Sequence, residues 1–146
     1  MPTPRAKVSG GNFSAKIFAV NNSLEHNATI VYRSIFLGET HQLITSRSNW
    51  EAQCYDTAME DLALGSIISA FAEEPDLVIF WSDVHQAEAV MSLARRLKAV
   101  SSQTRTFVFG RATTFIPQYF ERPPFDFVHI DGDREATLED VLDLRV

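Results

Sequence analysis

Residues 75–83, PDLVIFWSD, open the part of the chain that decides its fold. The apolar run at 77–80 is continuous, as is typical of a strand buried on both faces of a parallel sheet, and a helix-period segment follows at 84–100. The same order recurs in TRTFVFGRA at 104–112 and in FDFVHIDGD at 125–133, which leads into REATLEDVLDL at 134–144. Since parallel strands are joined by crossover connections, this alternation predicts an α/β fold with a parallel sheet.

The start of the chain is expected to supply the remaining strands of the sheet, but its helices and strands are harder to assign. SAKIFAV, at 14–20, predicts a first central strand, and Asn21-Asn22-Ser23 predicts the turn that ends it. ATIVYRSIF, at 28–36, is compatible with a helix or a strand. It is rich in β-branched and aromatic residues, as strands are, but the spacing of its apolar residues does not distinguish the two structures. Gly38 is expected to end this segment in either case.

A strand and a helical region are expected next. HQLIT, at 41–45, is compatible with an edge strand, and SNWE, at 48–51, has the spacing of a capping box. We therefore expect one long helix, or two meeting near Gly65, that extends to Glu74. Cys54 would lie within it as a buried core thiol, and a single cysteine allows no internal disulfide.

Composition indicates one globular domain. The chain has 146 residues, of which 45% are hydrophobic and 22% charged, and no apolar run approaches the roughly 20 residues that span a bilayer. Residues 1–13 are basic without the apolar core of a secretory signal, so we expect a flexible tail before a single domain at 14–146, in a cytoplasmic protein. The net charge of −6 argues against a nucleic-acid partner, and no membrane partner is expected.

Ligands of doubly wound sheets bind outside the carboxyl ends of the strands. The ligand-binding residues predicted there are Trp81, Ser82, Asp83, His85, Gly110, Arg111, Asp131, Gly132 and Arg134. Asp83, His85, Asp131 and Asp133 could together bind a divalent metal or do acid/base chemistry. We favour the simpler interpretation, in which the aspartates cap helices and shape turns, His85 is exposed, and no metal is bound. His129, inside a predicted strand, is expected to be a structural histidine.

Arg111 and Arg134 follow neighbouring strands of the predicted sheet. They could form one cationic pocket for a phosphate or a carboxylate. Alternatively, each arginine pairs with a local acid such as Asp131, Asp133 or Glu135. Both interpretations remain open from the residues alone.

Four segments carry a family resemblance. They are PDLVIF at 75–80, LARRLK at 93–98, FVFG at 107–110, and FDFV at 125–128 with GDREATLED at 132–140. In these segments the second half of the chain resembles the N-terminal cobalamin-binding domain of the B12-dependent radical SAM enzymes. The resemblance implies a flavodoxin-like, Rossmann-like sheet of five parallel strands in the order 2-1-3-4-5, with cobalamin as the cofactor.

The chain departs from that family where the ligand would lie. The family keeps small residues at the strand ends, so that the nucleotide tail of the corrinoid lies against bare backbone. Trp81 stands at the family's serine, and Arg111 and Arg134 stand at glycines. With one cysteine, the chain also lacks the C-x-x-x-C-x-x-C motif of a radical SAM domain. The larger side chains are expected to fill the tail's volume.

We therefore expect a stand-alone module of the cobalamin-binding type that does no chemistry by itself and acts as a binding or accessory protein. Its partner would be another copy of the chain or a separate enzyme chain. One alternative is a ligand-free module for protein–protein contact or dimerisation. The other is a small enzyme that uses Asp83, His85 and Asp131 with the two arginines on an anionic substrate.

An aromatic connecting segment is the expected contact surface, and the alternative is that its aromatics pack in the core. Connections run over the surface of a domain, and exposed aromatics favour association. The residues concerned are Phe115, Ile116, Tyr119, Phe120 and Phe125.

Overall fold

A computed structural model describes residues 13–19, 27–56 and 64–144. Its single sheet has five strands: β1 Phe13–Ala19, β2 Trp50–Asp56, β3 Leu77–Trp81, β4 Arg105–Phe109 and β5 Phe127–Val128. The helices are α1 Asn27–Thr45, α2 Leu64–Ala72, α3 Ala87–Val100, α4 Arg111–Phe115, α5 Pro117–Phe120 and α6 Arg134–Leu144, with a 3-10 turn at Val84–Gln86. The strand order is β2-β1-β3-β4-β5, and every neighbouring pair is parallel. The predicted flavodoxin-like α/β fold is confirmed.

The sheet separates two cores. On one face α2 and α3 pack on Phe18, Val78 and Phe80. On the other face α1 and α6 pack on Ile17, Ile79 and a group that also includes Trp81, Phe107 and Phe109. Strand β3 is fully buried along its length because both faces are covered.

The prediction for the chain before β3 was wrong in three places. Helix α1 continues through Gly38 and includes residues 41–45, the expected edge strand. The second strand is instead β2, which pairs with β1 from Trp50 to Asp56 where a capped helix was expected. Cys54 therefore lies half-buried in a strand, with its Sγ 3.8 Å from the carbonyl oxygen of Leu37.

The sequence predicts that β3, β4 and β5 end within two residues of Trp81, Gly110 and Asp131, and the structure confirms this for β3 and β4. β3 ends at Trp81 as expected, and β4 ends at Phe109, one residue before the predicted Gly110. β5 ends at Val128, three residues before the predicted Asp131, although the His129 N–H still donates to the carbonyl oxygen of Val108 at 3.0 Å. The fifth strand is short because the chain leaves the sheet after that bond.

Phe13 belongs to β1 rather than to the expected tail, and the rest of that tail, like the Asn21-Asn22-Ser23 turn, lies outside the described residues. None of the helices in the described ranges is long and apolar enough to cross a membrane.

Lys16 is a charged residue buried in β1. Its side chain is 3% exposed, and Nζ donates to Gln53 Oε1, to the Tyr55 hydroxyl at 3.1 Å and to Glu73 Oε1 at 3.0 Å. Burial acts to lower the pKa of Lys16, but the hydrogen bonds and charges of Tyr55 and Glu73 outweigh it, so the pKa lies above its ordinary value of 10.5. The ammonium group is therefore held charged inside the fold.

Candidate functional site

The carboxyl end of β3 is closed by Ser82 and Asp83, both buried. Asp83 Oδ1 accepts the N–H of Val84 at 2.7 Å, and its own N–H donates to Gln86 Oε1 at 3.1 Å, so the residue caps the 3-10 turn. Its other oxygen, Oδ2, accepts from the guanidinium of Arg111. The prediction that Asp83 is a cap is confirmed, and both of its carboxylate oxygens are engaged.

The crevice between the ends of β3 and β4 is filled by backbone. Gly110 has a φ of +134°, and a Cβ built on it would lie 2.2 Å from the carbonyl oxygen of Ser82. The Ala112 N–H donates to that same oxygen at 3.2 Å, and the Ser82 N–H donates to Phe109 O at 2.9 Å. Helix α4 thus begins directly against β3, and Gly110 makes this close approach possible.

A turn and a helix cap follow β5. Asp133 Oδ1 accepts the N–H groups of Glu135 at 3.0 Å and Ala136 at 3.4 Å, so Asp133 caps α6 as predicted. Gly132 has a φ of +83°, and Asp131 is exposed. His129 is half-buried with Nε2 3.2 Å from Gly132 O, while His85 is exposed on the 3-10 turn. Capping and turn formation account for Asp133 and Gly132.

Arg134 lies on the face of the sheet covered by α1 and α6. Its guanidinium carbon is 4.5 Å from the centre of the Phe36 ring and 5.3 Å from that of Phe109. The Phe36 ring also stacks on Trp81, with centroids 6.3 Å apart, and meets Phe109 edge-on at 6.2 Å. We call Phe36, Trp81, Phe109 and Arg134 the Arg134 cluster.

The two arginines pair with acids other than those expected. Arg111 binds Asp83, and Arg134 NH2 lies 3.7 Å from Glu39 Oε1. Neither of these pairs uses Asp131, Asp133 or Glu135. The structure therefore assigns each guanidinium a separate carboxylate.

The sequence reasoning missed Phe36 and Glu39, both on α1. Phe36 ended the segment that suited either a helix or a strand, and Glu39 lay between that segment and the expected edge strand at 41–45, so neither could be assigned to a site. The available signal was the spacing of Leu37, Thr40 and Ile44, which are buried in the structure at i, i+3 and i+7. In a helix with that spacing, Phe36 and Glu39 lie beside the buried face formed by Leu37, Thr40 and Ile44.

A groove runs between α1 and α6. Its open volume is about 280 Å³, and it is lined by Glu39, Gln42, Leu43, Ser46 and Glu135. A space of about 10 Å³, enough for one water, adjoins it and is lined in part by Glu39, Leu43 and Arg134. Arg134 therefore lines the small space beside the groove, and the two share Glu39, Leu43 and Glu135.

The aromatic segment at 115–125 belongs mostly to the core. Phe120 is fully buried and Phe125 is 8% exposed, whereas Phe115 is 68% exposed. Ile116 and Tyr119 pack against the core of the α2 and α3 face and are half-buried. Of the expected contact surface, Phe115 is therefore exposed, whereas Phe120 and Phe125 belong to the core.

Within the described ranges, no group of three or more His, Cys, Asp or Glu side chains is placed to hold a metal ion. Comparison of the chain with known protein families and with curated proteins finds no match.

Proposed function

We propose that this chain is a non-catalytic accessory module of the B12-binding type, in which side chains close the corrinoid site. The strand order supports the fold that the cobalamin-binding resemblance implies. One observation carries the proposal: the guanidinium of Arg134, which stands at a glycine of the family and begins α6, lies over the rings of Phe36 and Phe109.

A nucleotide tail needs bare backbone at the strand ends. Gly110 keeps that property, but its backbone already lies against Ser82. Arg111 is held by the buried carboxylate of Asp83, and moving it would leave that carboxylate without its counter-ion. The tail would thus have to displace contacts at two strand ends.

The engaged acids argue for binding rather than catalysis. Both carboxylate oxygens of Asp83 are engaged, and Asp133 Oδ1 caps α6, so the positions of these acids are explained by structure rather than by proton transfer. A module without chemistry acts through a second chain, either another copy of itself or a separate enzyme. The exposed ring of Phe115 is available for such a contact.

The test is corrinoid retention, measured from the visible absorption spectrum after mixing with hydroxocobalamin and desalting. We expect the wild-type chain to retain none and Arg111→Gly/Arg134→Gly to retain a measurable fraction. Arg95→Gln/Arg96→Gln, which removes two exposed charges from α3, is the matched control and should behave like the wild type. Stoichiometric retention by the wild type, unimproved in the glycine double variant, would contradict the closed site; far-UV circular dichroism checks that each variant is folded.

A further inference from the structure

Two donor side chains in the Arg134 cluster have no hydrogen-bond acceptor among the described residues. Trp81 is 1% exposed, and its Nε1 has no partner. Arg134 is 23% exposed on its side chain, and its polar contact is the Glu39 carboxylate at 3.7 Å, which is longer than a hydrogen bond. Buried donors are nearly always satisfied in native proteins, so the unpaired Trp81 N–H is an anomaly, and the partly exposed Arg134 guanidinium beside it is open to a ligand.

The geometry of Arg134 suits an anion. Both phenyl rings lie against the guanidinium, which orients it, while a guanidinium carries five N–H donors in a fixed plane. Such a stacked, oriented fork matches the oxygen pairs of carboxylate and phosphate. The cluster also lies at the carboxyl edge of the sheet, where ligands of this fold class bind.

The neighbouring charges can be overcome. Glu39 and Glu135 line the adjoining groove and oppose an anion. The Glu39 side chain is 48% exposed and its contact with Arg134 is long, so this ion pair contributes little and can be displaced. Phe36, which is only partly buried, contacts both donors and is the side chain that must turn to admit a ligand.

We propose that the Arg134 cluster binds a small oxyanion, with Arg134 as the main donor and the Trp81 N–H as the inner donor. This proposal depends on the proposed function, because a smaller ligand can bind at this edge of the sheet only if no corrinoid occupies it. Phosphate and carboxylate share the chemistry that the guanidinium recognises, and the experiment separates them.

The test uses the fluorescence of Trp81 in a Trp50→Phe background, so that one tryptophan reports. Inorganic phosphate and succinate are titrated separately against chloride at constant ionic strength. We expect a saturable change in emission, at the lower concentration for the preferred anion. Arg134→Gln should weaken the apparent affinity about tenfold or more, whereas Arg95→Gln, the matched control at an exposed position of α3, should leave it within about twofold.

The Glu39→Gln variant distinguishes a loss of the binding site from a loss of folding. Removing the competing carboxylate should tighten binding about threefold or more, a gain that a damaged fold does not produce. The absence of any saturable change with either anion, or an unchanged affinity in Arg134→Gln, would overturn the site. Retention of hydroxocobalamin by the wild type would instead overturn the closed corrinoid site, so the two failures are distinguishable.

Discussion

Replacing Gly110 by alanine should strongly destabilise the protein. The new Cβ would lie 2.2 Å from the carbonyl oxygen of Ser82, 2.9 Å from its carbon and 3.0 Å from its nitrogen. These atoms are backbone, so no rotamer change relieves the clash. A side chain at a φ of +134° costs about 1–3 kcal/mol by itself, and moving α4 away breaks the bond from Ala112 N–H, which contributes about 1 kcal/mol. We therefore expect a loss of about 2–4 kcal/mol from a typical total of about 5–15 kcal/mol.

Two other glycines serve as matched controls. Gly132 has a φ of +83°, and among the described residues, its chain neighbours aside, no atom lies within 4 Å of the position that a Cβ would take, so Gly132→Ala should show only the backbone cost of about 1 kcal/mol. Gly38 lies inside α1, again with open space around it, and Gly38→Ala should stabilise the protein by about 0.5–1 kcal/mol. The three variants thus separate steric contact, backbone conformation and helix propensity.

The measurement is urea unfolding followed by circular dichroism, with the slope of the free energy against urea compared between variants. A shared slope shows that the midpoints report stability alone. If Gly110→Ala proves no less stable than Gly132→Ala, the close contact between α4 and the end of β3 is refuted.

Two further predictions concern the pH dependence of stability at Lys16 and the packing of two phenylalanine rings. Because the folded pKa of Lys16 lies above 10.5, its contribution to the free energy of unfolding is present below about pH 10.5 and is lost as the pH rises through the folded value. In urea unfolding, Lys16→Met should therefore lose less stability than the wild type as the pH is raised above about 10.5, and equal losses would argue against the raised pKa. Phe120→Ala should lower the free energy of unfolding by about 3–5 kcal/mol, since the ring is fully buried. Phe115→Ala, at a ring 68% exposed, should change it by about 0.5 kcal/mol or less, and a comparable loss in both variants would show that Phe115 is packed.

The sheet from β3 onward was predictable because its central strands are buried on both faces. A continuous apolar run such as 77–80 has few other stable environments in a globular protein. The crossovers then fix the parallel direction of the strands. The strand order came from the family resemblance, and the structure has the same order.

The edge of the sheet was not predictable in this way. β2 has the sequence WEAQCYD and is only partly buried. Its mixture of polar and small residues is therefore also typical of an exposed helix. Its pairing with β1 depends on a strand far away in the chain, and such tertiary context overrides local propensity. The spacing of Ser48 and Glu51 was a coincidence.

The site was predictable in its location but not in its contacts. Parallel topology places the residues after β3, β4 and β5 at one edge, as expected. Two partners of Arg134, Phe36 and Glu39, however, come from α1, which the sequence left undecided at 28–36 and wrongly predicted as a strand at 41–45. Once Phe36 and Glu39 are placed on that helix, both the stacking and the ion pair follow.

Lys16 also restricts how the sheet can assemble. Ala15 and Ile17 face the core beneath α1 and α6, while Lys16 and Phe18 point to the other side. A slip of one residue in β1 would turn the ammonium group into the apolar core and separate it from Glu73. Strands with unbroken apolar sequences carry no such penalty against mispairing. A single charge in the central strand thus selects one alignment over its neighbours during folding, at a position remote from any ligand.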